Sequence, residues 1–204
     1  HEINIITQTG DVVLEDIFAR GKAVGDKVEV VISNDGYDKS TGLSGNGVGN
    51  ITFQNMYLPR SEKTYVVVHT NGNITQKGDV SGDFKVSKEV LTGNDIVAAN
   101  NLLSLVTKDG NNNDSGKVNF NAKGKISLNT FVSSSYINLS SESGNVEVAG
   151  SVVSGAQVNM SADTGVSAAK QYTYTLENGK TEVIDNNIIA EEAINIHTEN
   201  GSME

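Results

Sequence analysis

The chain contains no cysteine and no tryptophan. The first absence excludes disulfide staples, thiol nucleophiles, zinc–cysteine centres and iron–sulfur ligation. There is one proline, Pro59, so no proline-rich linker divides the sequence, and aromatics make up only 5% of it. A core with so few large rings must be built from small and medium aliphatic side chains. No stretch approaches the roughly 20 consecutive apolar residues of a membrane-spanning helix. Basic residues are also in deficit, with 15 Lys and Arg against 25 Asp and Glu and a net charge of −10. That balance argues against a nucleic-acid binder, which needs a basic stripe to replace phosphate counterions. It argues equally against adsorption to anionic lipid.

Catalytic signatures are missing as well. The three histidines, His1, His69 and His197, lie far apart, and no H-E-x-x-H spacing occurs, so a histidine metal site is not expected. No G-x-S-x-G elbow is present. Gly45, Gly47 and Gly49 look like a phosphate loop, but Asn50 and a strand follow where the fingerprint needs glycine and a helix. The run Asp109-Gly110-Asn111-Asn112-Asn113-Asp114 lacks the closing glutamate of a calcium loop. It reads as a surface loop, with weak calcium binding through its oxygens the open alternative. Glu142, Glu147 and Asp163 hold no common register, as a glycosidase or lyase carboxylate pair would require. The expectation is a protein that is not an enzyme and carries no cofactor.

What the sequence does have is alternation. From Lys117 to Ala168, apolar pairs separated by one residue recur: Val118/Phe120, Ile126/Leu128, Ile137/Leu139, Val146/Val148 and Val158/Met160. This is the period-2 signature of strands with one buried face. A longer period overlies it. Val118 to Ile137 is 19 residues, Ile126 to Val146 is 20, Ile137 to Val158 is 21, and Val146 to Val166 is 20. Short strands repeating about every 20 residues, separated by Gly, Asn, Ser and Asp, predict an all-β solenoid whose stacked coils bury one continuous apolar column. At that period the chain holds about eight to ten coils, a rod about 40–50 Å long at a strand spacing of roughly 4.8 Å. Asn119, Asn121, Asn129, Asn138, Asn145 and Asn159 are placed at coil turns, where amides can stack in ladders.

Outside this stretch the same grammar appears in Ile3/Ile5, Val12/Leu14 and Val28/Val30/Ile32, and Val30 to Ile51 is again 21 residues. Three excursions interrupt it, near 34–50, 54–64 and 171–187. Asn34–Asn50 reads as a long flexible loop. Met56-Tyr57-Leu58-Pro59-Arg60 reads either as a flap over the core or as a small exposed contact patch. Asn178-Gly179 between two alternating runs predicts a hairpin projecting from the stack. Residues 94–110 are open between a helix capped by Asn94 and strands paired on period, Ile96 with Val118 and Leu105 with Ile126.

Several phrases carry a resemblance: GDVVLED (10–16), GNDIVAANNLLSLVTKDG (93–110), GKVNFNAKGKISL (116–128), SGNVEVAGSV (143–152) and INIHTENGSME (194–204). They resemble the degenerate repeats of filamentous haemagglutinin-type exoproteins, which include two-partner-secreted adhesins and the stalks of contact-dependent inhibition toxins. The resemblance implies a right-handed parallel β-helix, secretion to the bacterial cell surface, and virulence-related cell adhesion. The family's N-P-N-L and N-P-N-G-I secretion motifs are absent, which implies an internal shaft segment of a longer parent chain, packed against neighbouring repeats. The expected partner is a receptor or glycan on a host or neighbouring cell. Recognition is expected on the departures from regular coiling, at Tyr37, Met56, Tyr57, Arg60, Tyr172 and Tyr174. Two rivals stand beside this reading: a polysaccharide lyase or hydrolase on the same fold, and a purely structural or self-assembling fibre segment.

Overall fold

The computed structural model describes residues 1–19, 27–59, 63–82, 116–175, 179–186 and 188–204. Among them there is no helix; the chain forms three parallel sheets of seven, seven and six strands and one two-stranded hairpin. Each coil contributes one strand to each sheet in turn, the arrangement of a parallel β-helix.

The first coil is β1 (Glu2–Ile6), β2 (Val12–Leu14) and β3 (Ile17–Phe18), and the second is β4 (Val28–Ser33), β5 (Ile51–Phe53) and β6 (Met56–Tyr57). The third is β7 (Thr64–Thr70), β8 (Ile74–Gln76) and β9 (Val80–Gly82), and the fourth is β10 (Lys117–Ala122), β11 (Ile126–Leu128) and β12 (Thr130–Ser133). The fifth is β13 (Tyr136–Ser141), β14 (Asn145–Val148) and β15 (Val152–Ser154). The sixth runs through β16 (Gln157–Ala162) and β17 (Gly165–Ala168), leaves the stack as the hairpin β18 (Gln171–Thr175) and β19 (Thr181–Asp185), and returns as β20 (Ile188–Ala190). A seventh opens with β21 (Ala193–Thr198) and β22 (Ser202–Met203). We call the β1-β4-β7-β10-β13-β16-β21 sheet the first sheet, the β2-to-β22 sheet the second and the β3-to-β20 sheet the third.

Seven strands in a sheet span six spacings, about 29 Å at 4.8 Å each, shorter than the eight-to-ten-coil rod expected. The reason is visible in the register. Uninterrupted coils do repeat at about 20 residues, with Val118 paired to Ile137, Ile126 to Val146, Ile137 to Val158 and Val146 to Val166. Elsewhere residues spent at the corners do not build coils. Val30 pairs with Val66 rather than lying one coil from Ile51, and Ile51 pairs with Val12 and Ile74.

Residues 94–110 lie outside the described residues. Among the described residues, Val118 has Val66 and Ile137 on its two sides and Ile126 has Ile74 and Val146. The Asn-rich run 109–114 also lies outside the described residues.

The core follows from alternation. In β7, β10 and β13 every second side chain is buried, giving columns such as Val30, Val66, Val118, Ile137 and Val158 at 0% exposure. Three phenylalanines from three different sheets fill the middle: Phe120 lies edge-to-face with Phe53 at 6.0 Å and with Phe131 at 5.2 Å.

Turn and face polar groups also stack. Asn73 Nδ2 donates to Asn50 Oδ1, and the Lys125 amide donates to Asn73 Oδ1 at 2.7 Å, so successive corners before the second sheet are tied together. Asn119, Asn138 and Asn159, expected at turns, stand instead in mid-strand on the outer face of the first sheet.

Candidate functional site

The departure richest in specific contacts is the segment from Asn34 to Asn50, between β4 and β5. It was expected to be a flexible loop; it is a clasp folded back over the outer face of the first sheet. Its start is set by Ser33, the last residue of β4. Ser33 Oγ donates to Asp35 Oδ1 at 2.7 Å and accepts from the Asp35 and Tyr37 amides at 3.4 and 3.3 Å. Asp35 is fully buried, and its second oxygen meets His69 Nδ1 at 2.7 Å. The Tyr37 ring then stacks on His69, with centroids 5.0 Å apart and planes 20° from parallel.

Beyond Tyr37 the chain reverses in a tight turn. Asp38 accepts from the Ser40 amide and hydroxyl at 2.8 and 2.7 Å and from the Thr41 hydroxyl at 3.1 Å. These bonds, the Ser40 hydroxyl foremost, hold the Asp38 carboxyl below its ordinary value of 3.8. Gly36 and Gly42, at φ of 75° and 71°, take the left-handed conformations this reversal needs.

The return limb is pinned to both neighbouring coils. Asn71 donates to the carbonyls of Gly45 and Gly47 at 3.0 and 2.9 Å. Thr9 Oγ1 donates to the Val48 carbonyl, and Asp11 Oδ1 accepts from the Asn50 amide. Lys39 bridges Glu2 and Glu29 across the first two coils. The clasp thus locks coils one, two and three together, and among its exposed residues, otherwise polar, charged or glycine, Leu43 and Val48 are each 68% exposed.

Ser33, Asp35 and His69 bring a hydroxyl, a carboxylate and an imidazole together, but in an order that does not serve acyl transfer. Hydrolytic relays place the imidazole between hydroxyl and carboxylate. Here the carboxylate stands in the middle, so His69 does not activate Ser33. The cluster's evident work is to fix the clasp. Among the described residues no group of three or more His, Asp or Glu is arranged to hold a metal ion.

Of the residues expected to form a binding surface, Tyr37 is half-buried at the base of the clasp. Met56 and Tyr57 are a correction: they are 0% and 4% exposed and form β6, paired with Ile17 and Phe18. The Tyr57 ring stacks on Phe18 at 4.8 Å, and burial, with Asp16 and Asp79 adding to it, raises its hydroxyl above 10.0. The run reads as a contact patch only if it leaves the coil, whereas it is the coil's third strand. Arg60 lies outside the described residues. Tyr172 and Tyr174 stand in β18, their backbones opposite Ile184 and Glu182 of β19. The hairpin leaves coil six and the clasp leaves coil two, about 19 Å apart along the stack at 4.8 Å per coil, so the fold does not unite Tyr37 with this pair.

His69 is the residue that sequence reasoning passed over. Its signal was positional: it follows the inward-facing Val66 and Val68 and so faces outward. Only a repeat of 36 residues, rather than 20, sets it beside Ser33. Scanned against protein-family models, curated proteins and solved structures, the chain matches none.

Proposed function

We propose that this chain is a β-helical shaft segment of a large secreted bacterial exoprotein of the filamentous haemagglutinin type, acting at the cell exterior in adhesion or receptor binding. The clasp is its recognition surface, and the partner is a protein receptor on a host or neighbouring cell. One observation carries this reading: a long insertion, built mainly of polar residues and glycine, is pinned to three coils while Leu43 and Val48 point to solvent. A loop of low apolar content gains nothing for folding by holding two aliphatic side chains in water. Fixing them in advance lowers the entropy that binding would otherwise cost. Apolar anchors on a rigid backbone suit a protein partner, whose interface core excludes charge. The repeat phrasing of residues 116–128 and 143–152, the acidic surface and the absence of cysteine fit the same setting.

The test is adherence of the labelled protein to epithelial and bacterial cells, compared with a Leu43→Asp/Val48→Asp variant. Both positions are exposed, so the variant should keep its thermal midpoint and lose most of its cell binding. Equal adherence by the two proteins, or none by the folded parent, overturns the reading.

A further inference from the structure

Past the clasp, no described element covers the outer face of the first sheet from coil four to coil seven. The register lines its outward side chains into three columns. One holds Lys117, Tyr136, Gln157 and Ala193; the next Asn119, Asn138, Asn159 and Asn195; the third Asn121, Ser140, Ser161 and His197. Each column repeats at the strand spacing, about 4.8 Å. The middle column is a continuous amide ladder. Asn138 donates to Asn119 at 2.8 Å, Asn159 to Asn138 at 2.7 Å, and Asn195 to Asn159 at 2.8 Å. A carboxamide has two N–H groups and two acceptor sites. The ladder uses one of each at Asn138 and Asn159, which leaves each with a donor and an acceptor to offer outward. A shallow groove of about 470 Å³ runs over β13, β16 and β21, lined by Asn138, Asn159 and Asn195, by Ser140, Ser161 and His197, and by Leu139, Met160, Ile194 and Ile196 that alternate with them along the strands. Tyr136 stands in the neighbouring column beside the groove, its hydroxyl held by Glu192, which also accepts from Gln157.

We infer that this groove binds a neutral, extended polysaccharide strand running along the solenoid axis. Three features of the face select that class. Lys117 and His197 are the basic side chains of the three columns, which hold no carboxylate, in a chain whose net charge is −10. An anionic polymer would find no cationic cluster here and an acidic surround, and a nucleic acid is excluded on the same ground. A protein partner is disfavoured because the side chains that the three columns turn outward are mainly amides and hydroxyls, although Leu139, Met160, Ile194 and Ile196 also line the groove. A sugar chain needs what is present: rows of paired donors and acceptors at a regular repeat, and a flat ring at the margin for the apolar face of a pyranose. The ladder also fixes the amides before binding, so little side-chain freedom is lost on contact. This site shares no residue with the clasp and stands independently of the receptor reading.

The experiment is titration calorimetry and affinity electrophoresis with soluble β-glucan, xylan and mannan, with polygalacturonate and heparin as anionic controls. Ser140→Arg/Ser161→Arg fills the groove with two long side chains and leaves the amide ladder and core untouched; an unchanged thermal midpoint confirms its fold. At least one neutral glycan should bind the parent, the double-arginine variant should bind it at least tenfold more weakly, and Leu43→Asp/Val48→Asp should bind it as the parent does. A folded parent that binds none of the neutral glycans overturns the inference. So does binding that the arginine pair leaves unchanged, or a preference for the anionic polymers. Loss of cell adherence with glycan binding retained, or the reverse, separates failure of one site from failure of the other.

Discussion

Replacing Phe120 with alanine tests whether the interior is packed as described. Phe120 is fully buried in β10, edge-to-face with Phe53 from the second sheet and Phe131 from the third, and stacked in its own column between Val68 and Leu139. Truncation removes the whole ring from a site walled on every side by strands. Phe→Ala in a core costs about 3–5 kcal/mol, the upper part of the range applying where neighbours cannot move into the space. Here they cannot easily do so, because Val68 and Leu139 are held one strand spacing away by the ladders on either side of β10. A loss of about 4 kcal/mol is therefore expected, measured by urea unfolding followed by circular dichroism. The control is Ser140→Ala on the exposed face, expected to stay within about 0.5 kcal/mol of the parent. In a stack held by nearest-neighbour interfaces, a central lesion also uncouples the coils on its two sides, so the transition should broaden. A loss below about 1 kcal/mol, with the control unchanged, would refute the close-packed three-sided core.

Two further outcomes are expected. Gly72→Ala drives a Cβ into the Gly49 carbonyl and the Asn50 carboxamide, neither free to move, and should cost about 1–3 kcal/mol; Gly179→Ala, with open space but a φ of 78°, should cost only about 1–2 kcal/mol. Differential scanning calorimetry measures both. Glu147 is held below its ordinary value of 4.5, first by the hydrogen bond from Lys125 and then by that from Asn145. Its stabilising contribution is therefore present above about pH 4.5 and fades as pH falls through the folded value; with the side chain 44% exposed it stays below about 1 kcal/mol. NMR titration should show its midpoint rising in Lys125→Ala.

The legible part of the fold was the part without insertions. Between Lys117 and Ala168 all four spacings read from the sequence are realised as paired residues, because consecutive coils there differ only by turn length. The hairpin expected around Asn178-Gly179 was equally readable, since that dipeptide between alternating runs is a local signal, and β18 and β19 do pair antiparallel. What failed was non-local. Across the hairpin excursion no local spacing sets the register: Val166 pairs with Met203 and Ile194 with Val158. Met56 and Tyr57 were read beside a proline as an excursion, though two residues suffice for a strand when the partners Ile17 and Phe18 are waiting. The clasp was misread for a related reason. Its order comes from Asn71, Thr9 and Asp11, residues of other coils that no local pattern places beside it.

The insertions obey a rule that explains both the broken period and the intact sheets. Each falls at a corner: between β3 and β4, β4 and β5, β6 and β7, β9 and β10, and β17 and β20. A single residue added inside a strand would shift its register by one and turn every inward side chain outward. Added at a corner, even many residues cost only loop-closure entropy, about 0.6 kcal/mol for each doubling of length. The paired offsets therefore range from 19 to 52 residues, Lys117 with Tyr136 at one extreme and Tyr65 with Lys117 at the other, while one inward column remains unbroken through both. The same asymmetry divides the labour of the surface. Corners can grow devices such as the clasp, whereas the strand faces between them must stay regular, and a regular face suits a ligand that is itself a repeat.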